Sequence, residues 1–180
     1  MTSFSRDPSE WQRLDRQLIL NGGIALYLKA SILQDDTAWL KTHGYQIYEL
    51  HCESWASDAV MHQDFKHILK FPDYYGENLD ALKDCLSDLE VPDSGGIALV
   101  LHRFDVFAKS AGATVYPHAQ RTIAEFLLVI LATTTRDLML TGSRFITMAQ
   151  SDDPRIQFEK LGSVSAIWNP KEWLNKNRGL

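Results

Sequence analysis

The apolar positions of this chain fall into two kinds of run. Short continuous runs, IALYL at 24–28, YQIYEL at 45–50 and IALVL at 97–101, are bounded by polar or turn residues and read as strands. Between them apolar residues recur every three or four positions, the period of a helix with one buried face. Residues 1–20 are polar with a weak helical pattern at Trp11, Leu14, Leu18 and Ile19, and Asn21-Gly22-Gly23 signals a turn. Asp35 and Asp36 are placed to cap a short helix through Ala38, Trp39 and Leu40, which Gly44 would end. Residues 57–69 carry Val60, Met61, Phe65, Ile68 and Leu69 on one helical face, and Phe71-Pro72 stops that helix. Asn78 is a suitable N-cap for a helix bearing Leu79, Leu82, Leu86 and Leu89, broken by Pro92 to Gly96. Pro117 suits the first turn of a long apolar helix running to about Thr133. Residues 138–140 read as a further short strand ended at Gly142, 164–168 as another, with a short helix from Pro170.

Strands alternating with helices predict an α/β fold whose parallel strands are buried on both faces. The expectation is one domain over 1–180: a core at 45–142 with three core strands flanked by helices, an N-terminal β-α extension at 1–44 and a C-terminal strand and helix extension at 143–180. The apolar stretch 123–132 is apolar all round, so both of its sides need cover. The segment with Trp168 and Trp173 is the candidate cover and a homodimer contact the alternative, which leaves a monomer or a weak dimer.

Composition is that of an ordinary soluble globular protein, 45% hydrophobic and 23% charged over 180 residues. Two cysteines, Cys52 and Cys85, give no disulfide framework, and buried reduced thiols in a cytoplasmic protein are expected. Asp7, Glu10 and Asp15 precede the first apolar stretch where a signal peptide would want basic residues. No apolar run reaches the roughly 18–20 residues of a membrane span. Charge changes the picture more. Residues 1–93 hold 16 acidic and 8 basic residues, a net of −8, whereas residues 94–180 hold 7 acidic and 10 basic, a net of +3. The acidic half repels nucleic acid and attracts a cationic protein.

That charge concentrates at residues 71–93, where Asp73, Glu77, Asp80, Asp84, Asp88, Glu90 and Asp93 are opposed by Lys83 alone. On a helix, Leu79, Leu82, Leu86 and Leu89 share one face beside Cys85, while Asp80, Asp84 and Asp88 form a stripe opposite with Ser87 between them and Lys83 at its edge. Like charges four apart cost a few tenths of a kcal/mol per pair. The helix dipole repays Asp80 near the N-terminus but not Asp88 near the C-terminus, and Lys83 can relieve repulsion by pairing with Asp80. Stability therefore explains Asp80, explains Asp84 poorly and does not explain Asp88; a solvated acidic face is the bland account. Tyr74, Tyr75 and Gly76 sit just before the cap, and aromatics beside charges have the composition of interface anchors. One tyrosine is expected in the core and one outside.

The stretch FPDYYGENLDALKDCL resembles the signature of the barstar family, small bacterial inhibitors of barnase-type ribonucleases, and the looser likeness runs over about 45–142. The resemblance implies a non-enzymatic protein with no cofactor and no metal. Its partner would be a basic ribonuclease of the secreted type, its active site plugged by carboxylates in place of RNA phosphates. It implies contacts by Tyr74, Asp80 and Asp84, with Asp84 central, and a loop shaped by Gly76 and Asn78; Tyr75, Lys83, Ser87 and Asp88 complete the partner-facing set. The barnase–barstar pair is itself a worked case of the electrostatic steering invoked here. Lys83 and Leu89 stand where barstar has aromatic contacts, and 126–136 lacks the carboxylates that barstar's last helix contributes. The surrounding contacts therefore differ while the acidic plug is kept.

Two other function classes fit parts of the pattern. A binding module of the same fold could engage a non-ribonuclease partner, such as another toxin or a regulator. An enzyme could use Asp80 and Asp84 as an acid–base pair, which needs a cleft that a solvent-facing stripe does not supply. His62 and His67 are five apart and do not stack as metal ligands on one helical face, and no phosphate loop or nucleophile motif is present.

Overall fold

The computed structural model describes residues 7–116, 120–162 and 164–180. Their α-helices and strands, in chain order, are α1 (Leu14–Leu20), β1 (Ile24–Tyr27), α2 (Ala30–Thr42), β2 (Tyr45–His51), α3 (Asp58–Leu69), α4 (Leu79–Ser87), β3 (Gly96–His102), α5 (Phe104–Lys109), β4 (Val115–Tyr116), β5 (Arg121–Thr122), α6 (Ile123–Leu140), β6 (Phe145–Gln150), β7 (Phe158–Leu161) and β8 (Val164–Trp168), and the short helix expected from Pro170 is a 3-10 turn over Pro170–Glu172. Six strands form one sheet in the order β2-β3-β6-β1-β8-β7, and β4 and β5 make a separate two-stranded ribbon. All neighbours in the main sheet run parallel except β7, which pairs antiparallel with β8.

The continuous apolar runs are explained by cover on both faces. Ala25, Tyr27, Ala98, Val100, Ile146 and Met148 face α1 and α2. Ile24, Leu26, Ile97, Leu99, Leu101 and Phe145 face the layer that contains α3, α4, α5 and α6. The α/β class and parallel strands expected from the sequence are present, and the sheet is larger than three core strands, because the strand nearest the N-terminus and those of the C-terminal segment join it.

Three expectations are corrected. The segment at 138–140 is the last turn of α6; the strand is β6, which begins at Phe145 and is buried throughout. Gly142, at φ +86, stops the helix: its own N–H donates to the Met139 carbonyl and that of Ser143 to the Leu138 carbonyl. The sequence cue was real, but it marked a helix end, and a short apolar run cannot tell the two apart. The long helix starts at Ile123, on a capping box in which Thr122 and Glu125 bond each other's backbone amides; Pro117, expected to start it, lies outside the described residues. Finally, α2 starts at Ala30, five residues before the expected Asp35 cap.

The reason for that early start is non-local. The Glu172 carboxylate, fully buried, accepts the N–H groups of Leu28 at 2.9 Å and Lys29 at 2.8 Å, which lead into α2. Asp36 is no cap. It lies buried inside the helix, bonded by the Tyr27 hydroxyl at 3.0 Å, the Asn169 amide at 2.8 Å and Lys171 Nζ at 2.6 Å. Of the two tryptophans expected to cover α6, Trp168 is buried in the same cluster, whereas Trp173 is 68% exposed. Cys52 and Cys85 are free thiols, the first buried and the second half-buried. No described helix is long and apolar enough to cross a membrane.

Two part-buried charge-assisted bonds from backbone amides are worth about 3 kcal/mol together. Glu172→Ala is therefore expected to destabilise the protein by about that amount, and Glu172→Gln by less. The midpoints of urea denaturation check both.

Candidate functional site: a loop and an acidic helix

The site begins where α3 ends. Lys70, its C-cap, adopts the left-handed conformation, and Phe71 turns inward and is buried. The Tyr75 N–H then donates to the Pro72 carbonyl at 3.0 Å, which closes a tight turn with Tyr74 at its tip. Tyr74 is 83% exposed and Tyr75 5% exposed. One tyrosine thus faces out and one in. Tyr75 packs on Phe71, ring centroids 5.0 Å apart, and its hydroxyl meets His62 Nδ1 at 2.5 Å. Burial pushes the His62 imidazolium down and the Tyr75 phenol up, so both groups are neutral near pH 7. Tyr75 therefore supports the loop from beneath while Tyr74 is presented.

Glu77 sits at φ +48, the left-handed region, immediately before Asn78. The Asn78 side chain accepts the Ala81 N–H at 2.9 Å and donates to the Gly76 carbonyl at 3.1 Å, so it holds both the helix start and the loop. A Cβ at Gly76 would stand 3.1 Å from Asn78 Nδ2. The absence of a side chain at Gly76 leaves room for this close approach.

From that start α4 buries Leu79, Leu82 and Leu86 in the core with α6 residues such as Leu127, Leu128 and Leu131. A fully buried leucine contributes about 2 kcal/mol, against a few tenths for repulsion between neighbouring carboxylates. The leucines set the helix rotation, and the aspartates take the side that remains. Asp80, Lys83, Asp84, Ser87 and Asp88 are all exposed. Asp80 lies in the first turn, where the helix dipole favours it, and Asp88 is the C-cap, where it does not. Leu89, expected on the helix, lies beyond its end and is half-buried against the core.

Among the described residues, Asp80, Asp84 and Asp88 form no ion pair with any cation. The expected Lys83–Asp80 pair is absent too, and Ser87 Oγ turns back to the Lys83 carbonyl at 2.9 Å. Burial and then the nearby Asp88 and Asp84 push the Cys85 thiol up, so it stays protonated. The loop and helix thus bring Tyr74, Gly76, Asn78, Asp80, Lys83, Asp84, Ser87 and Asp88 to one exposed edge, and Tyr75 lies behind it. His62, whose spacing from His67 speaks against a metal site, belongs to α3 and meets Tyr75 only through tertiary packing. His51 and His102 stack at 4.8 Å at the ends of β2 and β3, and His102 bonds Glu49 at 2.8 Å. No cluster able to hold a metal occurs among the described residues.

A family model described as Barstar (barnase inhibitor) matches residues 33–136, more than half of the chain. The chain belongs to the barstar family. A curated relative, "Putative ribonuclease inhibitor YrdF" of Bacillus subtilis (strain 168), is 51% identical over 47 residues, which are 26% of this chain and 47% of that protein. The match thus spans about half the length of that relative. Among solved structures, a chain from the structure of Drosophila ORC bound to AT-rich DNA and Cdc6 aligns with TM-score 0.42 and 16% identity, over 89% of this chain and 49% of that one. At that score the likeness carries no argument. The barstar match takes in the Tyr74 loop, α4 and most of α6; β1, β6, β7 and β8 fall outside it.

A histidine kept neutral by burial binds protons less readily in the folded than in the unfolded chain, so stability falls as pH drops below the ordinary value of 6.5. Wild-type protein is expected to lose stability between pH 7.5 and pH 5.5 (a range of about two units around that value), and His62→Gln to lose less. Urea titrations at the two pH values give the comparison.

Proposed function

We propose that this protein is a cytoplasmic inhibitor that binds a cationic, barnase-type ribonuclease one to one and blocks its active site without catalysing a reaction. The observation that carries the proposal is the open carboxylate stripe: Asp80, Asp84 and Asp88 are exposed and have no cation from the described residues to neutralise them. A ribonuclease active site must hold the phosphates of RNA with positive charge, so a row of fixed carboxylates is complementary to it. Membership of the barstar family supports the inhibitor class. In this proposal Asp84 enters the phosphate site, Asp80 and Asp88 flank it and Tyr74 lies over the rim. Ser87 completes the face, while Gly76, Asn78 and the buried Tyr75 hold the loop in place. The chain acts as one domain, with the barstar-like core at 45–142 and the flanking segments at 1–44 and 143–180 serving the shared sheet.

Asp84→Ala is expected to weaken inhibition of a barnase-type ribonuclease about 30-fold or more while leaving thermal stability unchanged or slightly raised. Unchanged inhibition would remove Asp84 from the site. The association rate is expected to fall about tenfold between low salt and half-molar salt, with little change in dissociation, measurable by stopped flow. Recovery of only a non-nuclease protein by the immobilised chain would replace the target class.

A further inference from the structure

Lys83 is the one basic residue between Lys70 and Arg103, set among seven carboxylates at 73–93. A lysine in such a place ordinarily relieves repulsion, yet here it pairs with none of them. It gains nothing from the helix dipole either, being mid-helix. The ammonium is exposed, on the same face as Asp84 and next to it in sequence. Stability thus leaves the residue unexplained, and a partner must tolerate a cation directly beside the carboxylate that enters its phosphate site.

Ribonuclease chemistry supplies a group that does more than tolerate it. Cleavage by the neighbouring 2′-hydroxyl requires a general base within hydrogen-bond reach of that hydroxyl, and therefore close to the phosphate. Where that base is a carboxylate, the active site holds a negative charge beside its cations. A purely acidic plug would be repelled by it. We propose that Lys83 pairs with the general-base carboxylate of the target ribonuclease, so that the face reads two signs of charge at once: Asp84 on the phosphate-binding cations and Lys83 on the base. This rests on the inhibitor reading given above and narrows it to nucleases with an acidic base. It also makes Lys83 a specificity-determining residue, because a nuclease with a cationic or neutral group at that place is disfavoured.

The test is a double-mutant cycle. Wild type, Lys83→Met and Asp84→Ala are titrated against a barnase-type ribonuclease with a glutamate general base, and against the same enzyme with that glutamate replaced by glutamine. Methionine is a good helix former at an exposed position, so folding is retained, and circular dichroism verifies it. Lys83→Met is expected to weaken binding to the parent nuclease about tenfold or more, and to the glutamine enzyme less than about twofold. Equal losses on the two nucleases, or no loss on either, overturn the pairing. If Asp84→Ala still weakens binding in that event, the inhibitor reading stands without it. If Asp84→Ala is neutral as well, the inhibitor reading itself falls.

Discussion

Rotation of α4 is fixed by Leu79, Leu82 and Leu86, and nearly everything at the candidate site follows from it. One residue of helix is about 100° of turn. A slip by a single position would carry Asp80 or Asp84 toward the core, where an unpaired carboxylate costs far more than the leucines return. The acidic face is therefore held in register by apolar packing on the opposite side. Its carboxylates need no partner within the fold, and none of the described residues provides one.

The loop is held by a second set of contacts. Asn78 ties the first turn of α4 to Gly76, and Tyr75 reaches down to His62 on α3. Two helices thus grip the ends of the Tyr74 turn, so its exposed ring is presented from a supported position. Binding by such a face loses little freedom, which is how a modest number of contacts can yield high affinity.

Much of this was legible in the sequence because the signals are local. The Asn78 cap, the leucine period, the aspartate stripe and the strands at 24–28, 45–50 and 97–101 each depend on residues within a few positions of one another, and the structure has them where the pattern puts them. What the sequence misplaced depends on distant partners. α2 begins early because Glu172 accepts its leading amides, and Asp36 is buried because Asn169 and Lys171 come to it. The end of α6 has the pattern of a strand, since three apolar residues before a glycine suit either element. His62 gave no local sign of its bond to Tyr75. The absent Lys83–Asp80 pair is a further case: spacing allowed it, and the side chain lies elsewhere.

The Glu172 contact has a bearing on how the molecule comes to be folded. β1 lies between β6 and β8, and the amides that follow it wait for a carboxylate 143 residues further along. Contacts of such sequence separation form slowly, because the intervening chain must first be brought together. During synthesis β2, α3, α4 and β3 emerge with their neighbours at hand, whereas β1 has no strand to pair with until the later part of the chain appears. The acidic helix thus belongs to the region able to organise early, whereas β1, made before either of its sheet partners, is among the last to find its place in the sheet.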